Sequence, residues 1–373
     1  EQEAHKIERR RSDCEEEKMD GLPEDQKRLV QAAVSAVTIQ LAPHATPQER
    51  LNAGEYTENL KKDAKALQYA FLLMHPTLDS TVRMYGLMIL EYHVKSSWNS
   101  AEEASEGGGG GFQGGAANAG SGSLVQLNAK QKASLQRSAL NMMAMGTRPI
   151  LEEDAYIKEK CCAALVEMVK RSWPSEWPDL MKHVVGAMPY NIIGGANQSS
   201  SGFGAQHQQS PPDWGNVPIC DLGPTQLELV VIFFKILAEE LGSLCELPGS
   251  RRKMMTNTLT LLAKEYVFPF LYHHLEYHYS IYQSYKGKFS DEDAMEMLPG
   301  GRRGPGKVAF EQRSQEEVEM AQSILIIHAI LQCLVGFAEW IKLEVFLECG
   351  VESDQQQRGG KAGKQGGSQG SQT

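Results

Sequence analysis

Three stretches hold chemically capable residues at meaningful spacing, and none of them completes a site. Gly301-Arg302-Arg303-Gly304-Pro305-Gly306-Lys307 fits G-x-x-x-x-G-K, the spacing of a loop that wraps nucleotide phosphates. Val308 then stands where Ser or Thr would hold magnesium, and no apolar strand leads into the loop. Pro305 also removes a backbone N–H that the phosphate would need. The stretch reads as a basic insertion whose Arg302, Arg303 and Lys307 can touch RNA phosphates weakly. His274 and His278 are four residues apart, which puts two metal ligands on one helix face, with His273 and Glu276 nearby. Tyr272, Tyr277, Tyr279 and Tyr282 surround them and no third ligand cluster is present, so the pair reads as part of a packed aromatic face. No Gly-x-Ser-x-Gly elbow is present, and the five glycines from Gly107 lack a following lysine. Catalytic, cofactor and metal sites are therefore not expected, and the chain is not read as an enzyme.

The seven cysteines, Cys14, Cys161, Cys162, Cys220, Cys245, Cys333 and Cys349, form no CxxC pair. Cys161 and Cys333 fall in apolar helical stretches, so thiols serve as small hydrophobes in a reducing compartment. The formal net charge of −10 over 373 residues excludes a uniformly basic nucleic-acid binder and favours basic partners or basic patches on them. Arg9-Arg10-Arg11 is followed by Glu15-Glu16-Glu17 with no apolar core, so no secretory signal is read. No uninterrupted apolar run reaches the roughly 18 residues of a membrane span. The best candidate, Ile324 to Ile341, contains His328, Gln332 and Glu339, so no membrane insertion is expected.

The chain offers instead a framework for positioning side chains, centred on residues 147–181. Ile157, Cys161, Ala164, Leu165 and Met168 recur at helical spacing and predict a helix over 154–172 with one buried face. Asp154 is placed to cap its first N–H groups. Trp173, Pro174, Trp177 and Pro178 then make a structural corner, because the prolines cannot donate and each indole can bury roughly 150–250 Å². Pro178-Asp179 reads as the first turn of a further helix running to Met188.

Other helices are predicted over Pro23–Leu41, Pro47–Asp63, Lys65–Met74, Asp79–Trp98 and Asn128–Gly146. On the 79–98 helix, Val82, Tyr85, Gly86, Ile89, Leu90 and His93 share one face; Met84, Met88, Glu91, Lys95 and Trp98 lie opposite. Asp79 or Ser80 caps it. Thr225–Leu244 is apolar nearly all round and so must be sandwiched. Ser250 to Lys286 reads as one long helix bent at Pro269, and Gln315–Trp340 as a buried one. Strand signals are nearly absent. Helix pairs recur every roughly 40–60 residues once insertions are removed, which predicts an all-α HEAT-repeat solenoid, an ARM-like superhelix. Residues 1–21 and 351–373 read as disordered tails around an array over 22–350, interrupted by flexible insertions at 99–126, 189–222 and 287–313.

Several of these segments resemble the exportin-five-like karyopherins, nuclear transport receptors of the importin-beta superfamily. The run from Arg83 to Lys95 with Trp98-Asn99 resembles that family's second helix pair. Gly146-Thr147, Ile150 to Glu153, Ile157-Lys158, Val166 to Arg171, and the corner from Trp173-Pro174 to Trp177-Pro178-Asp179 resemble the third and fourth pairs. Leu237 to Glu240, Leu247-Pro248 and Arg251-Arg252 look like the family's next segment, and Leu331 to Trp340 like the one after it. The likeness covers roughly residues 22–345 and is broken by insertions longer than the family's. It implies the N-terminal portion of a longer, monomeric receptor that shuttles between nucleus and cytoplasm, without cofactor. Its implied partners are the small GTPase Ran in its GTP form, nucleoporins, and cargo. The implied cargo is double-stranded RNA hairpins such as pre-microRNA, and also proteins. In that family Ran lies against the second helix of each pair. The resemblance and helical geometry together nominate Glu91, Lys95, Trp98, Glu159, Glu167 and Lys170 as partner contacts. A Ran-independent HEAT scaffold for complex assembly is the alternative, since both are acidic helical arrays.

Overall fold

The structure is a computed structural model and describes residues 24–63, 65–98, 126–145, 147–178, 180–181, 184, 223–243, 247–288, 314–342 and 345. Among them every regular element is helical, as the absence of strand patterning predicts. In chain order they are α1 (Glu24–Leu41), α2 (Pro47–Lys62), α3 (Ala66–Leu73), α4 (Ser80–Ser97), α5 (Ala129–Met145), α6 (Ala155–Ser172) and α7 (Pro224–Gly242). After these come α8 (Gly249–Leu262), a π turn (Ala263–Val267), α9 (Phe268–Tyr285) and α10 (Gln315–Ala338). Two compact units contain them. The first holds α1 to α6 with α7 through Phe233; the second holds α7 from Phe234 onward with α8 to α10.

In the first unit neighbours in sequence pack as pairs: α1 on α2, α3 on α4, α5 on α6. Local chemistry sets the ends. Thr46 and Glu49 form a reciprocal capping box ahead of α2, whose first residue is Pro47. Asp79 accepts from the Thr81 N–H at 2.9 Å and so is the cap of α4. The stripe predicted for α4 is the buried one: Val82, Gly86, Ile89, Leu90 and His93 lie inside, with Tyr85 at its margin. Gly86 is required for that packing, since a Cβ there would sit 2.8 Å from the Ala70 carbonyl oxygen and 2.9 Å from Met74 Cγ.

Three predicted details differ. Asp154 precedes α6 but makes no side-chain cap; its carboxylate instead accepts from Ser80 Oγ at 2.5 Å, tying the start of α6 to the start of α4. The long helix over 250–286 is continuous, but a π turn interrupts its α ladder between α8 and α9, where the Phe268 N–H reaches back to the Ala263 carbonyl. Pro269 falls in the first turn of α9 and has no N–H for the ladder, so the chain widens just before it. Pro178 lies in an exposed turn, and of the helix expected from there to Met188 only Leu180, Met181 and Val184 are described. The corner itself is formed. Trp173 and Trp177 are buried, the Trp173–Pro174 peptide is cis, and the Trp177 backbone N–H donates to the Ser172 carbonyl at 3.1 Å.

Burial runs all round α7 from Leu227 to Phe234, as its apolar circumference requires, and narrows after that to a face with Leu237, Ala238 and Leu241 inside and Glu239 exposed. In the second unit α9 packs on α10, with Phe268 and Phe337 edge to face at 5.2 Å. Of the described helices α10 is the one long and apolar enough to cross a membrane, and half of its most apolar window is buried inside the fold. Cys161, Cys162 and Cys333 are free and buried. The predicted tails lie outside the described residues, as do positions 99–125, 189–222 and 289–313 of the predicted insertions and the Gly301–Lys307 stretch.

Candidate partner-binding surface

Helices α4 and α6 lie side by side and run in the same direction, because their contacts advance together along both chains. Ser80 meets Asp154 at the start, Glu91 meets Lys160 in the middle, and Lys95 comes within 3.9 Å of Glu167 further on. These rungs knit a charge network. Glu91 pairs with Lys95 at 2.8 Å and with Lys160. Glu167 pairs with Lys170 at 2.7 Å and with Arg171 at 2.6 Å. Burial pushes both carboxyls up, but the cations outweigh it and hold them below the usual carboxylate range, Lys160 and Lys95 at Glu91 and Lys170 and Arg171 at Glu167. Lys95 is raised in turn, chiefly by its hydrogen bond to Glu91.

Beneath the surface two ion pairs anchor the same helices. Arg83 of α4 grips Glu153, the second residue before the start of α6, and Lys158 of α6 pairs with Glu228 of α7 at 2.7 Å. Lys158 also donates to the Ile150 carbonyl at 2.7 Å. Burial raises the Glu228 carboxyl despite Lys158 beside it.

The six nominated contacts therefore divide. Lys95 is 47% exposed, Glu159 is exposed, and Glu91 is half-buried under Lys95 and Lys160. Glu167 and Lys170 are buried and bonded to each other. Trp98 is 1% exposed, so it is corrected from a partner contact to a core residue. The wheel that set it outward stops being valid at Ser97, after which the backbone leaves the helix (φ −95°, ψ 79° at Trp98). Lys132 of α5 lies 5.6 Å from its ring centroid. The reading of the sequence missed Lys160 and Arg171 on the network. Glu167 and Arg171 were detectable as an i, i+4 pair; Lys160 joins only because α4 and α6 are parallel neighbours. It also missed Arg83–Glu153 and Lys158–Glu228, whose partners are 70 residues apart in sequence.

His274 and His278 are core groups, 4% and 7% exposed, with ring centroids 6.3 Å apart. His278 Nδ1 lies 3.1 Å from Ser323 Oγ on α10. Burial lowers both to about 4. Among the described residues no three His, Cys, Asp or Glu side chains are grouped to hold a metal.

Human exportin-5 is 28% identical over 265 residues, covering 71% of this chain and 17% of that protein. Mouse exportin-5 is 25% identical over 316 residues, covering 84% and 19%. Exportin-5 of Dictyostelium discoideum is 20% identical over 324 residues, covering 86% and 21%. The chain thus spans about a fifth of the length of the curated relatives it matches. Residues 154–351, over half the chain, match the family described as Exportin 1-like protein. That match begins at the residue before α6 and takes in the α6 half of the charge network, the Lys158–Glu228 pair and the α9–α10 packing. An all-α array of HEAT-type helix pairs is the fold this family implies, and the chain belongs to the exportin 1-like protein family.

Proposed function

We propose that the chain works within a nuclear export receptor of exportin-five type, gated by Ran and without catalysis of its own. The observation that carries this reading is the α4–α6 surface. Two parallel second helices of successive pairs lie next to each other, joined by a charge network that leaves Lys95 exposed. GTP-bound Ran is the partner for that surface, and it binds together with cargo in the nucleus. Hydrolysis in the cytoplasm then releases both, so the receptor shuttles through nuclear pores and contacts nucleoporins. The cargo is structured double-stranded RNA such as pre-microRNA, and proteins as well. With a net charge of −10 this part of the receptor is unsuited to the main RNA contact, and the RNA surface belongs elsewhere.

Equilibrium binding of Ran loaded with a non-hydrolysable GTP analogue or with GDP tests the reading. Tighter binding of the GTP form supports it. Equal affinity, or none, overturns it in favour of a Ran-independent scaffold. A steep salt dependence of RNA binding by this chain would contradict the assignment of the RNA surface.

A further inference from the structure

Where α7 ends, α8 begins and the chain has just left α10, the second unit holds a cavity of about 330 Å³. Leu241 at the end of α7 and the Trp340 ring give it apolar lining. Arg252, Lys253 and Asn257, from the first turns of α8, give it polar lining. These polar groups are donors in excess of their acceptors. Arg252 spends Nε and Nη2 on carbonyls that α7 leaves open at its end, Leu241 at 3.2 and 3.1 Å and Gly242 at 3.0 Å. Among the described residues its Nη1, the Lys253 ammonium and the Asn257 amide meet no acceptor. Trp340 adds a buried indole N–H without a partner. Buried donors are ordinarily satisfied, so an acceptor is what this place lacks. Glu239, Glu240 and Glu339, the carboxylates nearest in sequence, do not line the cavity. Two cations and two neutral donors therefore share one space in a chain whose net charge is −10.

We propose that this cavity binds a small phosphate monoester, its phosphate on Arg252, Lys253 and Asn257 and its organic body against Leu241 and Trp340. A phosphate monoester carries a charge of about −1.5 to −2 at neutral pH and three strong acceptor oxygens, which matches two cations with an amide beside them. A carboxylate offers a single negative charge and would leave donors unspent. The volume lies at the low end of the roughly 300–1,000 Å³ of small-molecule pockets, which suits a free phosphate ester of modest size. All the lining residues belong to the second unit, so the assignment stands apart from the reading of the α4–α6 surface.

The test is calorimetric titration of the full chain with phenyl phosphate, inorganic phosphate and benzoate. Phenyl phosphate is expected to bind roughly tenfold tighter than the other two, which lack the ring or the dianion. Lys253→Gln and Asn257→Ala should each weaken it roughly tenfold, and Lys286→Gln on α9 should leave it unchanged. All three altered residues are exposed, so the variants should melt like the unaltered chain. Gly249→Leu supplies a steric check. Gly249 lines the cavity and a Cβ there meets nothing within 4 Å, so the new side chain enters open space and should weaken binding more than tenfold. The Trp340 indole N–H resonance, identified by its loss in Trp340→Phe, should shift during titration. Failure of phenyl phosphate to bind overturns the assignment, as does affinity that Lys253→Gln and Gly249→Leu retain within twofold. Benzoate binding as tightly as phenyl phosphate overturns the choice of phosphate. A phosphotyrosine peptide binding more than tenfold tighter than phenyl phosphate would give the cavity to a protein segment and overturn the small-molecule assignment.

Discussion

Arg83 and Glu153 meet as a two-pronged ion pair, each terminal guanidinium nitrogen 2.7 Å from its own carboxylate oxygen and neither side chain more than 1% exposed. Glu153 also accepts from the Arg148 N–H at 2.8 Å, and the Arg148 side chain donates to the Pro76 and Leu78 carbonyls at 2.8 Å. The pair is thus the centre of a clasp that fixes the turn before α6 to the turn before α4, and it sets how those helices lie alongside each other. Removing one partner strands a buried charge. Arg83→Met or Glu153→Gln should each cost about 3–5 kcal/mol in chemical denaturation. The double replacement should recover part of that, because an uncharged pair leaves nothing stranded. Additive losses would show that the two residues act independently.

Gly86 has no room for a side chain. The nearest atom to an added Cβ is a backbone carbonyl oxygen, at 2.8 Å, which cannot rotate away. Helix propensity alone would make Gly86→Ala stabilising by up to about 1 kcal/mol. Separation of α3 from α4 should dominate instead, for a net loss of about 1–3 kcal/mol. A thermal melt decides the sign directly.

Helix positions and the buried stripe of α4 were legible because periodicity and capping chemistry are local. Thr46-Pro47 and Asp79 announce their helices within three or four residues. The illegible part depends on which helices are neighbours. Asp154 looks like a cap and serves as a rung, because Ser80 is brought beside it by tertiary packing. Glu167 and Lys170 look solvated because an isolated helix wheel cannot show that Lys95 of the neighbouring helix comes to the same carboxylate. Trp98 is misplaced by extending a helix one residue past its end. The irregularity ahead of Pro269 is legible in kind, since Pro denies the ladder a donor, but its form as a π turn over Ala263–Val267 depends on the whole segment's packing.

Trp173 is the larger test of the corner. Its ring is 1% exposed, and its backbone N–H donates to the Val169 carbonyl at 2.9 Å to close the last turn of α6. Trp173→Ala deletes the ring and should cost about 3–5 kcal/mol. Pro178→Ala, at an exposed turn position, should change stability by less than about 0.5 kcal/mol. Equal effects from the two would mean that the corner is held by its backbone rather than by the buried indole.

Acid should unfold the chain in two distinguishable ways. His274 and His278 have depressed values in the fold, about 4 against an ordinary 6.5. Between those values the unfolded chain takes up protons that the folded chain refuses, so stability falls as pH drops from about 6.5 to 4 and is unaffected above. The depression corresponds to at most about 3.4 kcal/mol per histidine. Glu91 and Glu167 are held below the usual carboxylate range, so their contribution is present above about 4.5 and is lost only as pH falls through their lower folded values. Denaturant midpoints measured from about pH 7.5 downward should therefore decline first through the histidine window. A His274→Phe, His278→Gln double variant should flatten that first decline while leaving the later, carboxylate-driven loss in place. Gln at 278 keeps an amide within reach of Ser323 without a titrating ring, so a decline that persists in the double variant would assign the upper window to other groups.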